Sequence, residues 1–273
     1  MDTRHVLAHR TRGGPRRTDG GRLMDYSSSN LFVQMGEWLS DPTNWSGARG
    51  IPMRVLEHLG YVGLTMLIAC AIAVPLGMYV GHTGRGRVLI VSGIGILRAL
   101  PTLGMVFLFA LLFYRGVLPS VWALVLLAVP PVLSGVYAGI SSVNRTVVDA
   151  ARSMGLTEAQ ILFRVEVPNG LHVMIGGVRA GILQVVATAT VVAYAKADGL
   201  GVFLVEGTQI NDNGRLFGGA VVIAVLAIAV DGLMALIQKF AISPGLRATP
   251  PPAGSSEESG RQEAVASAQG GTT

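Results

Sequence analysis

Two ionisable side chains lie within otherwise apolar stretches of the sequence. Arg179 follows Leu171 by eight residues, and Asp231 precedes Lys239 by eight residues. An ionisable group inside a membrane span costs about 2.5–3.5 kcal/mol on insertion scales, so it is usually functional or paired. At about 1.5 Å per residue, both groups lie about 12 Å from one membrane face. We therefore predict an ion pair between two helices, serving either to fix their register or as a functional pair.

Residues suited to covalent or metal chemistry are sparse. The sequence has no cluster of His, Asp and Glu at metal-ligand spacing and no nucleophile motif, so we expect neither an enzyme nor a metal site. His82 and His172 lie at the boundaries of apolar segments and need no metal. The only lysines, Lys196 and Lys239, lie outside any G-x-x-x-x-G-K-[ST] loop, so we expect no ATPase activity of that type and no bound cofactor.

A polar stretch over residues 145–168, called the hairpin below, separates two long apolar segments. A short helix over 147–154 is expected to end at Gly155, because glycine readily adopts the left-handed conformation that caps helices. A rigid polar hairpin between apolar segments has little reason to exist unless a partner outside the membrane binds it. The sequence therefore predicts a docking surface here.

The second half of the hairpin carries its own start and stop signals. Thr157 is expected to be an N-cap, with Gln160 three residues later completing a capping box. Leu156 and Ile161 occupy the two positions of a hydrophobic staple. Pro168 is expected to end this second helix, because proline lacks the backbone N–H that a helix interior requires.

The composition is that of an integral membrane protein. Of 273 residues, 51% are hydrophobic and only 14% are charged, against about 25% charged in an ordinary soluble domain. The 36 glycines suit close packing of helices in a bilayer. The net charge of +5 comes from arginines in the N-terminal tail and short loops, so it does not indicate a nucleic-acid partner.

The apolar segments predict an all-α, multi-pass protein with five spans, each near the roughly 20 residues that a bilayer core requires. The spans cover about residues 59–81, 88–114, 119–141, 171–195 and 216–239. The second span is interrupted at Arg98 and Pro101, and Arg98 is expected either to line a pathway or to cap the broken helix. The Pro130-Pro131 pair is expected to kink the third span.

Four regions follow from these patterns. Residues 1–23 contain six arginines and no apolar periodicity, so we predict disorder there and consider Met24 the alternative start of translation. Residues 24–57 are expected to lie on the bilayer as an interfacial segment, with a flexible tail as the alternative. The transmembrane domain covers 58–240, and residues 241–273 form a disordered tail rich in Pro, Gly, Ser and Glu.

Basic residues in short loops predict the orientation. Arg85 and Arg87 occupy the loop after the first span without an acidic neighbour, which indicates the cytoplasmic side. Two spans later the hairpin returns to that side with Arg145, Arg152 and Arg164. The hairpin and the C-terminal tail are therefore expected in the cytoplasm of a cell whose plasma membrane holds the chain.

The hairpin resembles the cytoplasmic coupling loop of ABC-importer permeases, E-A-A-x3-G-x9-I-x-L-P. The corresponding positions are Asp149, Ala150, Ala151, Gly155, Val165, Val167 and Pro168, with Asp in place of Glu and Val in place of Ile and Leu. Over about 56–240, segments such as His58-Leu59-Gly60 and Gly199-Leu200-Gly201 resemble the osmoprotectant branch of these permeases. The resemblance implies the type I importer fold and an ATPase-docking role for Asp149, Ala150, Ala151, Gly155, Leu156 and Pro168.

The same resemblance implies partners and a substrate class. The partners are a second permease subunit, cytoplasmic ABC ATPase subunits that use the ATP, and an extracytoplasmic substrate-binding protein. The substrates are compatible solutes such as glycine betaine, choline, carnitine or proline betaine. Candidate pathway-lining residues are polar or aromatic positions within the spans, with ordinary helix packing as their alternative role: Ser134, Tyr137, Gln184, Thr188 and Tyr194.

Two other functions compete with this hypothesis. A methionine or other amino-acid ABC importer would share the coupling loop but carry a different solute. An ATP-independent secondary transporter would be expected to show internal repeats and an ion relay of charged residues, and the sequence shows neither.

Overall fold

The computed structural model describes residues 28–99, 101–112, 117–195 and 198–241. The predictions made for residues 1–23, for Met24 and for the tail beyond Ala241 lie outside these ranges. Within them the chain is helical and contains no strand, so the all-α class is confirmed.

The helices follow one another with short connections. The first half of the chain contains α1 (Ser28–Ser40), a 3-10 turn (Pro42–Trp45), α2 (Ile51–Thr83), α3 (Arg87–Ala99), α4 (Thr102–Leu112) and α5 (Val117–Ser141). The second half contains α6 (Arg145–Ser153), α7 (Glu158–Ile161), a π-turn (Leu162–Glu166), α8 (Val167–Thr188), a 3-10 segment (Ala189–Ala195), α9 (Gly201–Ile210) and α10 (Asn213–Ala241).

Four stretches of helix in the described residues are long and apolar enough to cross a membrane. They cover Ile51–Thr83, Leu118–Ser141, Glu158–Ala195 and Asn213–Ala241. The fifth predicted span corresponds to α3 and α4, two short helices that meet at the Pro101 break. The multi-pass architecture is confirmed, and the interruption falls where proline was expected to place it. The side chain of Arg98 lies outside the description.

The prediction that Pro168 ends the second hairpin helix is wrong. The helix runs on through the π-turn into α8, and the Val167 N–H bonds to the Leu162 carbonyl five residues back. A proline removes one N–H and crowds the carbonyl four residues before it, so a single wider turn lets the helix pass without a break. The Asn169 side-chain amide donates to the Val165 carbonyl at 2.6 Å, which satisfies a group within the altered turn.

The continuous helix is longer than a bilayer needs. Glu158–Ala195 contains 38 residues, about 57 Å at 1.5 Å per residue, whereas a hydrocarbon core is about 30 Å thick. Its polar first part, Glu158–Glu166, therefore projects beyond the membrane with the rest of the hairpin. We call this side of the bundle the hairpin end and the opposite side the far end.

Helix α5 forms the centre of the bundle, between α2 and α8. On one side a Cβ added to Gly177 would lie 2.5 Å from the Cα of Gly135, so α5 and α8 cross with their backbones in contact. On the other side Gly77 and Gly81 of α2 lie against Val136 and Ile140. Small residues permit such approach, and dispersion contacts rather than hydrophobic burial hold helices together in lipid.

The far end is closed by elements that the span pattern did not predict. Trp38 of α1 packs edge-on against Phe203 of α9 with ring centroids 5.2 Å apart. Ile51 and Leu200 join the same buried cluster. Helix α2 begins about eight residues before the predicted span, because Pro52 suits the first turn of a helix and this cluster covers its added residues.

Candidate functional site

The first half of the hairpin is a capped helix. The Asn144 side chain accepts a hydrogen bond from the Thr146 N–H at 2.9 Å at its start. At its end Gly155 has a φ of 83°. The Gly155 N–H donates to the Arg152 carbonyl at 2.9 Å, and the Leu156 N–H donates to the Ala151 carbonyl at 3.3 Å. These two bonds form a Schellman cap, so the predicted glycine cap is confirmed.

The second half begins with the predicted capping box. The Thr157 hydroxyl accepts from the Gln160 N–H at 3.3 Å, and the Gln160 side chain accepts from the Thr157 N–H at 2.9 Å. Leu156 packs against a small apolar cluster that contains the fully buried Ile161. The two halves of the hairpin therefore share a core of their own and are fixed relative to each other.

Charges connect the two halves across the surface. Arg152 donates to both carboxylate oxygens of Glu158, at 2.7 and 3.0 Å, and to Asp149 at 3.1 Å. The hydrogen bond from Arg152 lowers the pKa of the Glu158 carboxyl below its ordinary value, and the same contact raises the pKa of Arg152. These groups are exposed, so solvent screens the pair and its role is to orient side chains rather than to stabilise the fold.

The hairpin presents apolar side chains on a polar surface outside the membrane. Phe163 is 60% exposed and Met154 is 74% exposed, while Val147 is 48% exposed. Isolated exposed apolar residues are ordinary, but three on one short polar hairpin indicate a surface for a partner.

The predicted docking residues divide into two groups. Asp149, Ala150 and Gly155 are exposed, and Pro168 is exposed at the start of α8. Ala151 is only 2% exposed and belongs to the hairpin core, against which Leu156 packs. The structure therefore places part of the motif on the surface and part inside.

His82, near the end of α2, contacts the hairpin through both ring nitrogens. Its Nδ1 lies 2.6 Å from Oε2 of Glu166, and its Nε2 lies 3.1 Å from Oε2 of Glu158. The Glu166 side chain is only 1% exposed. The sequence predicts no role for His82, because its two acidic partners lie more than 70 residues away in the chain.

Arg179 and Asp231 meet in the structure as a two-pronged ion pair. The guanidinium Nε and Nη2 atoms donate to the two carboxylate oxygens at 2.6 and 2.7 Å. The Gln238 side chain, on the same helix as Asp231, also donates to the His172 carbonyl at 3.1 Å. These contacts join α8 to α10 near the hairpin end. The predicted ion pair is therefore present, and it fixes the position of one helix along the other.

The candidate pathway residues do not converge on one site. Gln184 lines a cavity of about 420 Å³ with Thr102, Pro130 and Pro131. Tyr194 lines a separate cavity of about 450 Å³ at the far end. The Thr188 hydroxyl donates to the Gln184 carbonyl of its own helix at 2.7 Å.

The other two candidates, Ser134 and Tyr137, lie half-buried on α5. Gln184 and Tyr194 thus remain the two candidates that face open space.

A second charged cluster at the far end was not found from the sequence. Arg54 of α2 lies 2.8 Å from a Glu57 carboxylate oxygen and 2.5 Å from one of Asp198. The Gly199 N–H donates to Glu57 at 3.2 Å, which ties the segment before α9 to α2. Arg54 and Glu57 fall within residues 24–57, which were predicted to be interfacial. The sequence gives no sign that Arg54 is buried. Among the described residues, no group of three His, Cys, Asp or Glu could hold a metal ion.

These features define a class of protein: a polytopic membrane protein whose spans are tied to a protruding, capped hairpin. Among solved structures, the MetNI methionine ABC transporter in its inward-facing conformation matches with a TM-score of 0.64 and 19% identity, covering 75% of this chain and all of the other. An amino acid ABC transporter matches with a TM-score of 0.54 and 20% identity, covering 76% and 97%. At these identities the likeness shows the fold, which is that of type I importer permeases.

Residues 73–242 match the family described as the inner membrane component of binding-protein-dependent transport systems, and the chain belongs to that family. It is therefore a multi-pass protein of the bacterial plasma membrane. The predicted resemblance to osmoprotectant ABC permeases is confirmed.

Three curated relatives agree with the family assignment. The osmoprotectant import permease protein OsmW of Salmonella typhimurium is 30% identical over 70% of this chain and 91% of the relative. The choline transport system permease protein OpuBB of Bacillus subtilis is 27% identical over 71% and 89%. The carnitine transport permease protein OpuCB of Listeria monocytogenes is 28% identical over 64% and 80%.

Proposed function

We propose that this chain is the membrane-spanning subunit of an ATP-driven importer for small quaternary-ammonium solutes such as glycine betaine, choline, carnitine or proline betaine. The relatives are named for carnitine, choline and osmoprotectants, which supports this class over an amino-acid importer. In this proposal separate ABC ATPase subunits hydrolyse the ATP, a second permease subunit completes the pathway, and an external binding protein delivers the solute.

The observation that carries the coupling role is the capped hairpin with its exposed apolar side chains. Phe163 and Met154 project from a rigid unit beyond the membrane. A cytoplasmic ATPase subunit that covered them would bury apolar surface at a fixed position relative to the spans. Asp149 and Ala150 lie on the exposed surface and would contact that subunit directly, whereas Ala151 and Leu156 act by keeping the hairpin in shape.

The covalent path from hairpin to spans is short in both directions. Three residues, Ser142–Asn144, connect α5 to α6, and the second half of the hairpin continues as one helix into α8. Movement of the hairpins as the ATPase subunits close would therefore tilt α5 and α8 together. The Gly135–Gly177 contact keeps these two helices packed during that movement. Alternating access then needs no chemistry in this chain, and ATP hydrolysis resets it.

The far-end cavity is lined by two cations, Arg49 and Arg54, and by two carboxylates, Asp198 and Glu206. Arg54 would repel a quaternary ammonium, but Glu57 and Asp198 neutralise it. Glu206 is itself paired with Arg215 at 2.7 Å, so the support for a cationic solute at this cavity is the Tyr194 ring, which offers a face for a cation. Gln184 lines the cavity nearer the α5 prolines, between α5 and α8. We assign Tyr194 to solute entry and Gln184 to the pathway itself.

Reconstitution tests the function. The chain is purified with its ATPase and binding protein, placed in proteoliposomes, and supplied with ATP inside. We expect ATP-dependent uptake of at least one of labelled glycine betaine, choline or carnitine, and no uptake of methionine. Methionine uptake without any quaternary amine would favour the amino-acid importer. Uptake by the chain without an ATPase would favour a secondary transporter.

A further inference from the structure

Helix α2 and the hairpin lie far apart in the sequence, and His82 provides the ionisable contact between them in the part of the chain that the structure describes. Between Thr83, where α2 ends, and Arg145, where the hairpin begins, lie α3, α4 and α5. His82 shortens this route, because both of its ring nitrogens lie within 3.1 Å of hairpin carboxylates. Its own side chain is only 11% exposed.

The contact between His82 and Glu166 is important because the Glu166 side chain is buried. A carboxylate that is 99% removed from solvent requires a hydrogen-bond donor or a cation, and the His82 ring lies 2.6 Å from it. The second contact, from Nε2 to Glu158, is at the surface. Only the protonated imidazole donates from both nitrogens, so the ring between two carboxylates is suited to act as a cationic bridge.

The π-turn brings Glu166 to this position. Its widened turn over Leu162–Glu166 ends at the buried Glu166, two residues before Pro168. A π-turn shifts every later side chain on the helix relative to the earlier ones, so Glu158 and Glu166 can approach the same ring. The irregular helix is thus part of the contact and also the means by which the helix passes Pro168.

The His82 contact extends a chain of charged groups that starts at the docking surface. Asp149 and Glu158 both bind Arg152, and Glu158 also binds His82, which binds Glu166. The chain runs from an exposed residue of the coupling motif to a buried contact on α2. No other part of the described hairpin has a comparable ion pair to α2.

We propose that His82 is a positioning residue that fastens α2 to the hairpin, so that ATPase-driven movement of the hairpin moves α2 together with α5 and α8. This inference rests on the proposed coupling role of the hairpin. Without the fastening, α2 follows the hairpin only through its packing against α5 and α8, so its movement lags and ATP hydrolysis proceeds with less solute moved per cycle.

The test measures solute transported per ATP hydrolysed in proteoliposomes of the full importer. We expect His82→Ala to assemble with the ATPase and hydrolyse ATP, while the transport ratio falls about tenfold, the scale set by loss of the buried contact to Glu166. His172→Ala is the matched control. That histidine also lies at the hairpin end of a span, but it contacts Gln238 of α10, not the hairpin, so the ratio should stay within about twofold of the unmutated importer.

A double-mutant comparison separates coupling from general damage. His82→Ala and Glu166→Gln should each lower the ratio, and the double variant should be no worse than the poorer single variant, since both remove one contact. If His82→Ala fails to assemble, His82→Phe, which keeps a ring of similar size and removes both nitrogens, decides the matter by the same ratio. A normal ratio in the assembled variant, or fully additive losses, overturns the role of His82. An unmutated importer without ATP-dependent uptake overturns the proposed function instead.

Discussion

Replacing Gly155 by valine tests the hairpin at its most constrained backbone position. The φ of 83° lies in the left-handed region, and no atom lies within 4 Å of an added Cβ. The penalty is therefore one of backbone strain alone, about 1–2 kcal/mol for an ordinary L-residue and more for a β-branched one. If the backbone relaxes instead, the 2.9 Å and 3.3 Å cap bonds are lost, at about 0.5–1.5 kcal/mol each.

Either outcome lowers the free energy of unfolding of the hairpin by about 1–3 kcal/mol. This corresponds to a factor of about 5–150 in the ratio of its folded to its unfolded form. We expect ATP-dependent uptake by Gly155→Val to fall at least about fivefold, while membrane insertion and expression stay normal because the spans are untouched. Gly155→Asn should keep most of the uptake, since asparagine tolerates the left-handed region. Gly232→Val is a second control, because this helical glycine of α10 also has open space around it but no positive φ. Normal uptake by Gly155→Val would refute the argument.

Three further predictions concern the bundle and the hairpin charges. Gly177→Ala would place a Cβ 2.5 Å from the Cα of Gly135, so thermal stability of the purified protein should fall by about 1–3 kcal/mol; Gly63→Ala, which meets no atom within 4 Å, should not destabilise it. Arg179→Ala should reduce expression and uptake by leaving Asp231 unpaired, and the double variant Arg179→Ala/Asp231→Ala should recover part of the loss; equal losses in both would exclude a contribution from the pair. Arg152 holds the pKa of Glu158 below its ordinary value, so this contact supports the hairpin fully above the ordinary carboxyl range and is lost as pH falls through the lowered pKa. The protection factors of the hairpin amides against hydrogen exchange, which correct for the intrinsic slowing of exchange in acid, should fall over that acid range. Arg152→Gln should weaken this pH dependence and leave the smaller contribution from His82.

Local signals accounted for much of what the sequence predicted. Gly155, Thr157 and Gln160 act through hydrogen bonds to neighbours a few residues away, so their spacing alone specified the caps. The pairing of Arg179 with Asp231 was predicted from a second property, their equal depth below one membrane face. Two charges at equal depth on helices of one bundle have few other partners, and the structure joins them.

Contacts set by tertiary packing could not be predicted in this way. His82 and Glu166 are 84 positions apart, and Arg54 and Asp198 are 144 apart. No periodicity in the sequence relates such residues. The prediction for Pro168 was wrong because its local preference to end a helix is outweighed by the packing of α8 against α5. The π-turn lets the helix continue past the proline.

The role of the hairpin as the ATPase-docking surface is tested most directly by site-specific cross-linking. Phe163→Cys in a Cys70→Ala background places one reactive thiol on the exposed hairpin, and Tyr194→Cys places one at the far end. In membranes that hold the whole importer, a thiol-to-amine cross-linker should join position 163 to the ATPase subunit and leave position 194 unlinked to it. Cross-linking of the ATPase at 194, or none at 163 in an importer that transports, would contradict the account.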